Sequence, residues 1–345
     1  MANWFECIVL FIAKKKIYRR FVLRRLLIGF VALAVLIVLL CVATLCFGAV
    51  NIPFSSVVQA LFSPGADVSS NILWNLRIPR MIAAILAGAS LAVSGLSLQT
   101  VFRNPLAGPF VLGISSGASL GVALALLAGI GFGSVGVLGS AALGALLVTL
   151  VVMFAATRFA QTGVLLIVGL LTGYFIDSIV SVLIAGNSSE SLRVYVAWGM
   201  GSFGRVTLGD VWIFVVAVLV GLVMIGVSLR YLNAALLGDD FAHGLGLNVK
   251  RSKICVLLGA SLLAGATTAF CGPVAFIGIA VPHLAYLLFK TTNHRVLLPG
   301  AALCGVALAL LGGLFPASVP LNAVLSLVGV PVILWVLVRG SGARL

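Results

Sequence analysis

The sequence predicts an all-α polytopic membrane protein with about ten transmembrane helices in two inverted five-helix repeats. Three observations predict it. The composition is 62% hydrophobic and 8% charged, where a soluble domain carries about 25% charged residues. Apolar runs of about 20 residues recur along the chain, the length that crosses a bilayer core as a helix. Two short Gly-rich stretches appear in the same order in both halves. Barrel strands would instead show shorter segments of alternating hydrophobicity.

The apolar runs fall at 26–48, 79–100, 110–129, 132–156, 163–185, 208–229, 253–271, 273–289, 297–315 and 322–338. Residues 1–25 form a basic cytoplasmic N-terminal segment, and 26–340 a single transmembrane domain. Lys14–Lys16, Arg19, Arg20, Arg24 and Arg25 precede the first run, as in a signal peptide. That run far exceeds a signal core of about 7–15 residues, so it reads as a retained span. The stretch 188–205 is mixed in polarity and too short to cross.

The formal net charge is +14. The bases sit between apolar runs and form no continuous stripe, which excludes nucleic-acid binding. With an even number of crossings and the N-terminus inside, all bases except Arg77, Arg80, Arg193 and Arg205 lie on the inner side. That bias follows the positive-inside rule and places both termini in the cytoplasm. The cysteines, Cys7, Cys41, Cys46, Cys255, Cys271 and Cys304, form no CxxC pair and read as small buried hydrophobes.

"GASLAVSG" from Gly88 matches "GASLLAGA" from Gly259, and "GPFVLGI" from Gly108 matches "GPVAFIGI" from Gly272. The repeats run over about 26–185 and 208–338, offset by an odd number of spans. An odd offset inverts the topology, as in many transporters. Gly113, Gly117 and Gly121 recur every four residues, a row that lets helices approach closely in a bilayer.

"LLGDDFAHGLGLNVKRSK" (236–253) is the polar exception, inside a longer inner-side segment, 230–253. Leu237, Phe241 and Leu245 recur every four residues, as one face of a short helix does, and the segment reads as one or two short helices with an apolar edge. Asp239 is placed to cap its first turn, and Gly244 and Gly246 suit its end. Asp240 beside Asp239 argues for docking on a partner over lying on a membrane. Asn104, Pro105 and Leu106 in "RNPLAG" break the second span. Irregular backbone at membrane depth is tolerated where it is buried or lines a cavity. Asp177 lies well inside the fifth run, and an intramembrane carboxylate is a functional candidate. It would touch cargo or a pathway water, or else pair with a hydroxyl such as Ser178 or Ser181. His243, His283 and His294 form no ligand cluster in the sequence, and no metal site is assigned. No catalytic dyad or triad stands out. No GxxxxGK(S/T) phosphate loop occurs, so any ATP-driven step needs a separate subunit.

The stretch "LLGDDFAHGLGLNVKR" resembles the coupling region of the FecCD family of ABC-importer permeases, which carry iron–siderophore chelates, haem and vitamin B12. "RIPR" (77–80), "FRNPLAGPFVLGISSGA" (102–118), "WGMGSFGRVTL" (198–208), "GPVAFIGIAVPH" (272–283), "NHRVLLPGAAL" (293–303) and "LVGVPVILWVL" (327–337) follow in the family's order. The resemblance implies a homodimer in the bacterial cytoplasmic (inner) membrane with a pathway at its axis. Two ATP-binding subunits, holding ATP and Mg, dock below. A periplasmic or lipid-anchored substrate-binding protein docks above, where Arg77 and Arg80 meet its acidic residues. Leu237, Gly238, Asp239, Asp240, Phe241, His243, Gly244, Leu245 and Gly246 then couple to the ATPase. Asn104, Pro105 and Leu106 form one cytoplasmic gate, and Gln161, Thr162 and Gly163 the other. The cargo it implies is a ferric siderophore or haem, with cobalamin as the alternative. The residues also leave open an ion-coupled secondary transporter using Asp177. A membrane enzyme would need clustered polar groups near one face, and none is evident.

Overall fold

Apolar helices dominate the computed structural model, which describes residues 4–48, 50–63, 65, 67–129, 136–159, 162–187, 189–316 and 319–340. In chain order they are α1 (Trp4–Cys46), α2 (Phe54–Phe62), α3 (Val68–Ile72), α4 (Ile78–Phe102), α5 (Ile114–Leu126), α6 (Gly136–Arg158), α7 (Thr162–Ala185) and α8 (Ser189–Gly199). The second half holds α9 (Leu208–Val227), α10 (Leu229–Ala235), α11 (Asp239–Gly244), α12 (Val249–Cys271), α13 (Ile277–Phe289), α14 (His294–Gly313) and α15 (Leu321–Gly340). Among the described residues, 7 helices are long and apolar enough to cross a membrane. Three shorter apolar helices, Ile114–Leu126, Ile277–Phe289 and Leu321–Trp335, accompany them.

Three departures from the expected spans have local causes. The second span is longer than its apolar run, because a π turn at Leu73–Arg77 joins α3 to α4 without a break. The third starts late: Pro109–Leu112 is a 3-10 turn, and Gly113 at φ 71° redirects the chain into α5. The eighth starts late as well, because Gly272–Phe276 is unwound before α13.

α4, α12 and α14 form the centre, and most of each apolar window is buried. α1, α7 and α9 bury little of theirs. Pairing is reciprocal between the halves. α4 packs on α13 and α14, while α12 packs on α5 and α6. Likewise α5 contacts α6 and α7, while α13 contacts α14 and α15.

Glycine sets the closest of these contacts, because lipid gives no hydrophobic drive to helix pairing and backbones must approach. A Cβ on Gly88 would stand 2.3 Å from the Gly305 carbonyl oxygen, and one on Gly305 would stand 2.2 Å from that of Gly88. The row Gly113, Gly117, Gly121 packs as its spacing predicts. Gly117 faces Gly144 and Gly121 faces Ser140 on α6, while Gly113 meets Gly169 on α7.

Candidate functional site

The polar groups of interest gather where α4 ends. α4 stops because Arg103 adopts a left-handed conformation (φ 46°) and Pro105 cannot continue the helix. The Asn104 side-chain oxygen then accepts from the Leu106 N–H at 2.9 Å, closing an Asx turn. His283 Nε2, on α13, donates to the Pro105 carbonyl at 3.1 Å. Gln99 reaches the Ile279 carbonyl at 3.2 Å. The break at Asn104, Pro105 and Leu106 is thus seated on α13, with Leu106 left exposed.

The coupling segment lies against it. α10 and α11 are joined through Gly238, whose φ of 122° suits glycine. Here the structure corrects two expectations. Leu237 precedes this turn and so stands outside the helix that carries Phe241. Asp239 does not cap α11: no side-chain cap bond forms at that end. The Asp239 carboxylate turns instead to Lys253 Nζ at 3.0 Å and to Arg103 at 3.6 Å. Fixed cations offer a carboxylate more than the N–H groups of a six-residue helix with a small dipole. Tyr231, buried on α10, points its hydroxyl at Asp239 from 3.5 Å. Burial, and then the Asp239 charge, push the Tyr231 phenol above its ordinary range.

A second, neutral cluster lies deeper. His294 is buried at the start of α14. Asn233 Oδ1 accepts from the His294 backbone N–H at 2.9 Å and lies 3.2 Å from its Nδ1. Nδ1 therefore carries a proton, and Nε2 faces Thr100 Oγ1 at 2.8 Å. Thr100 also donates to Leu96 O at 2.9 Å, so its single hydroxyl proton is shared between two acceptors when the ring is neutral. The cluster joins α10, α14 and α4.

The outer surface of the coupling segment is apolar. Leu237, Phe241 and Leu245 are 70%, 47% and 60% exposed. Asp240, His243, Gly244 and Gly246 are exposed beside them, Gly246 with φ 76° after the helix end. Leu237 and Leu245 also line an open cavity of about 780 Å3 with Arg230, Asn233, Thr292 and Arg295.

The remaining sequence candidates lie elsewhere. Gln161 falls outside the described residues. Thr162 begins α7, and Gly163 is exposed with open space around it. Asp177 is exposed on α7. Neither hydroxyl considered for it turns to its carboxylate: Ser178 donates to the Tyr174 carbonyl and Ser181 to the Asp177 backbone carbonyl.

At the opposite end, Arg77 is buried, and its guanidinium donates to the carbonyls of Leu45 and Val50. This caps the end of α1, so Arg77 offers little surface to a partner. Arg80 is half-buried and donates to the Phe315 carbonyl at 2.8 Å.

Sequence reading missed Asn322. Its amide donates to the Pro273 carbonyl at 2.7 Å and the Gly199 carbonyl at 3.4 Å, and its oxygen accepts from Ala275 N–H at 2.9 Å. The available signal was an asparagine opening an apolar run directly after a proline-rich loop.

Among the described residues, an all-helical bundle with helices long and apolar enough to cross a membrane marks an integral membrane protein, with a broken helix end and an exposed apolar segment beside it. The comparisons with known proteins narrow the class. The FecCD transport family model matches residues 35–339, and the chain belongs to that family of ABC permeases. The hemin transport system permease protein HmuU of Yersinia pestis is 34% identical over 332 residues, covering 93% of this chain and 97% of that protein. The vitamin B12 import system permease protein BtuC of Salmonella paratyphi A is 33% identical over 320 residues, covering 90% and 94%. A solved structure of a metal-chelate type ABC transporter in an inward-facing conformation superposes with a TM-score of 0.79 at 28% identity, covering 90% of this chain and 99% of that one.

Proposed function

We propose that this chain is the transmembrane permease subunit of an ABC importer that moves an iron chelate, a ferric siderophore or haem, into the cytoplasm. It works as a homodimer in the bacterial cytoplasmic membrane, with ten spans per subunit in two inverted repeats and both termini inside. Two ATP-binding subunits carry ATP and Mg and perform the hydrolysis. A periplasmic or lipid-anchored binding protein delivers cargo, with Arg80 more available to it than Arg77. Asn104–Leu106 and Gln161–Gly163 are the cytoplasmic gates.

One observation carries this reading. The apolar surface of Leu237, Phe241 and Leu245 stands exposed on the segment that touches the end of α4. A protein that docks there acts on the break at Asn104–Leu106. The similarity to a vitamin B12 permease supports cobalamin as the second cargo reading.

The test is uptake into proteoliposomes holding this chain and its ATP-binding subunit, with the binding protein loaded in turn with a ferric siderophore, haem and cobalamin. ATP-dependent uptake of one cargo, abolished by Leu237→Asp with Phe241→Asp, is the expected result. Uptake that ignores ATP and follows a proton gradient would overturn the reading and make Asp177 the coupling group.

A further inference from the structure

The last turn of α4 is tied to the coupling segment at two points of different character. One is the buried neutral cluster of Thr100, His294 and Asn233. The other is charged and open to water. Arg103 Nη2 lies 3.6 Å from Asp239 Oδ1, with the two side chains 53% and 36% exposed. Asp239 is anchored independently by Lys253 at 3.0 Å, a side chain only 11% exposed.

The positions of the charged partners matter. Asp239 is the first residue of α11. Arg103 is the residue at which α4 turns into the broken segment, and it immediately precedes Asn104. A displacement of α11 therefore bears on the gate segment through this side-chain pair. The Thr100–His294 contact is expensive to open, because both groups are buried and would lose partners away from water. The Arg103–Asp239 pair is longer than a hydrogen bond and screened by water and salt, so it opens and reforms readily.

We propose that the Arg103–Asp239 pair is the releasable link through which the coupling helix positions the gate segment Asn104–Leu106. Arg103 and Asp239 are positioning residues that act through the backbone of that segment and do not touch cargo. The inference rests on the importer reading above and names the contact by which α11 is read at the gate.

The experiment uses the full chain with its ATP-binding subunit in nanodiscs. A nitroxide is placed on Leu106→Cys, a position 44% exposed. The signal of the native cysteines is subtracted with the unsubstituted chain. ATP with vanadate is expected to change nitroxide mobility in the complex carrying the label alone. Arg103→Ala and Asp239→Asn should each reduce that change by about fivefold while the ATP-binding subunit still co-purifies. Their combination should be no worse than either alone, as for two residues of one interaction. Arg103→Lys should restore most of the response, which separates loss of the charge pair from misfolding. A response unchanged in both single variants, or effects that multiply in the double, overturns the proposal. Loss of the ATP-binding subunit from either variant also overturns it, by making the pair part of the docking surface. A labelled complex that binds no ATP-binding subunit, or shows no nucleotide response, overturns the importer reading and the link with it.

Discussion

Asn322 holds Pro273: the first turn of α15 donates a side-chain hydrogen bond of 2.7 Å to the carbonyl that follows Gly272. The same side chain accepts from Ala275 at 2.9 Å. On either side of these two residues, Gly272 at φ 75° and Phe276 at φ 67° take positive-φ backbone. One amide thus mimics the ladder that the unwound segment lacks.

Asn322→Leu keeps the branching at Cγ and removes these bonds. Leaving these half-buried backbone groups without protein partners costs at most about 1–3 kcal/mol. The unfolding midpoint in detergent should fall by several degrees, and Asn322→Gln should not recover it, because the longer arm misplaces both amide atoms. An unchanged midpoint for Asn322→Leu would show that water replaces the side chain.

Gly88→Val tests the glycine contact between α4 and α14. Its Cβ would meet backbone, the Gly305 carbonyl at 2.3 Å, which cannot swing aside as a side chain does. Overpacking of this kind costs about 1–3 kcal/mol or more. Gly226→Ala is the comparison, since a Cβ there meets nothing within 4 Å. Its stability should stay within about 0.5 kcal/mol of the parent. Equal behaviour of the two would deny that Gly88 is needed for approach.

Arg77→Ala should act on stability more than on docking. It leaves the Leu45 and Val50 carbonyls without a charged donor, a loss of about 1.5–3 kcal/mol. Arg77→Lys should rescue little, because an ammonium lacks the fork that spans two carbonyls. Arg80→Ala should instead weaken binding-protein affinity with a smaller change in midpoint. Surface plasmon resonance beside thermal unfolding separates the two, and the reverse pattern would restore Arg77 as a docking residue.

Tyr231 makes a pH prediction. Its pKa is raised in the fold, first by burial and then by the Asp239 charge. The unfolded chain ionises it at its ordinary value of about 10, so the folded form binds the proton more tightly. That contribution is complete below about pH 10 and is lost as pH rises towards the folded value. Tyr231→Phe should therefore make the alkaline fall of the unfolding midpoint shallower. Its cost at neutral pH should be below about 1 kcal/mol, because the bond to Asp239 is long at 3.5 Å. An alkaline limb with the same slope in both chains would place the titration elsewhere.

The helices were legible because apolar length reports directly on the environment of a segment. The break at Asn104–Leu106 was legible as Asn and Pro after an apolar run, whereas the unwinding of Gly272–Phe276 was not, because that stretch is as apolar as the span it precedes. The small-residue row Gly113–Gly121 announced close packing, and Gly117 and Gly121 do meet α6. Side-chain destinations were less legible. Asp239 read as a cap because local rules see the helix that follows it, whereas its partners Arg103 and Lys253 come from other helices. Arg77 read as a surface base because its sequence neighbours say nothing of the α1 end that it closes.

By itself the sequence determined the class, the order and rough edges of the helices, the break at Asn104–Leu106, and the family through motifs spread over nearly the whole chain. Tertiary structure alone decided which polar groups meet: Thr100 with His294, 194 residues apart, Asn322 with Pro273, 49 apart, and Arg103 with Asp239. The reason is physical. Hydropathy tells a segment that it belongs in lipid, but lipid is as apolar as leucine and gives no preference for a neighbour. Neighbours are chosen by backbone approach at small residues and by the few polar side chains that must find partners, and both are properties of the assembled bundle.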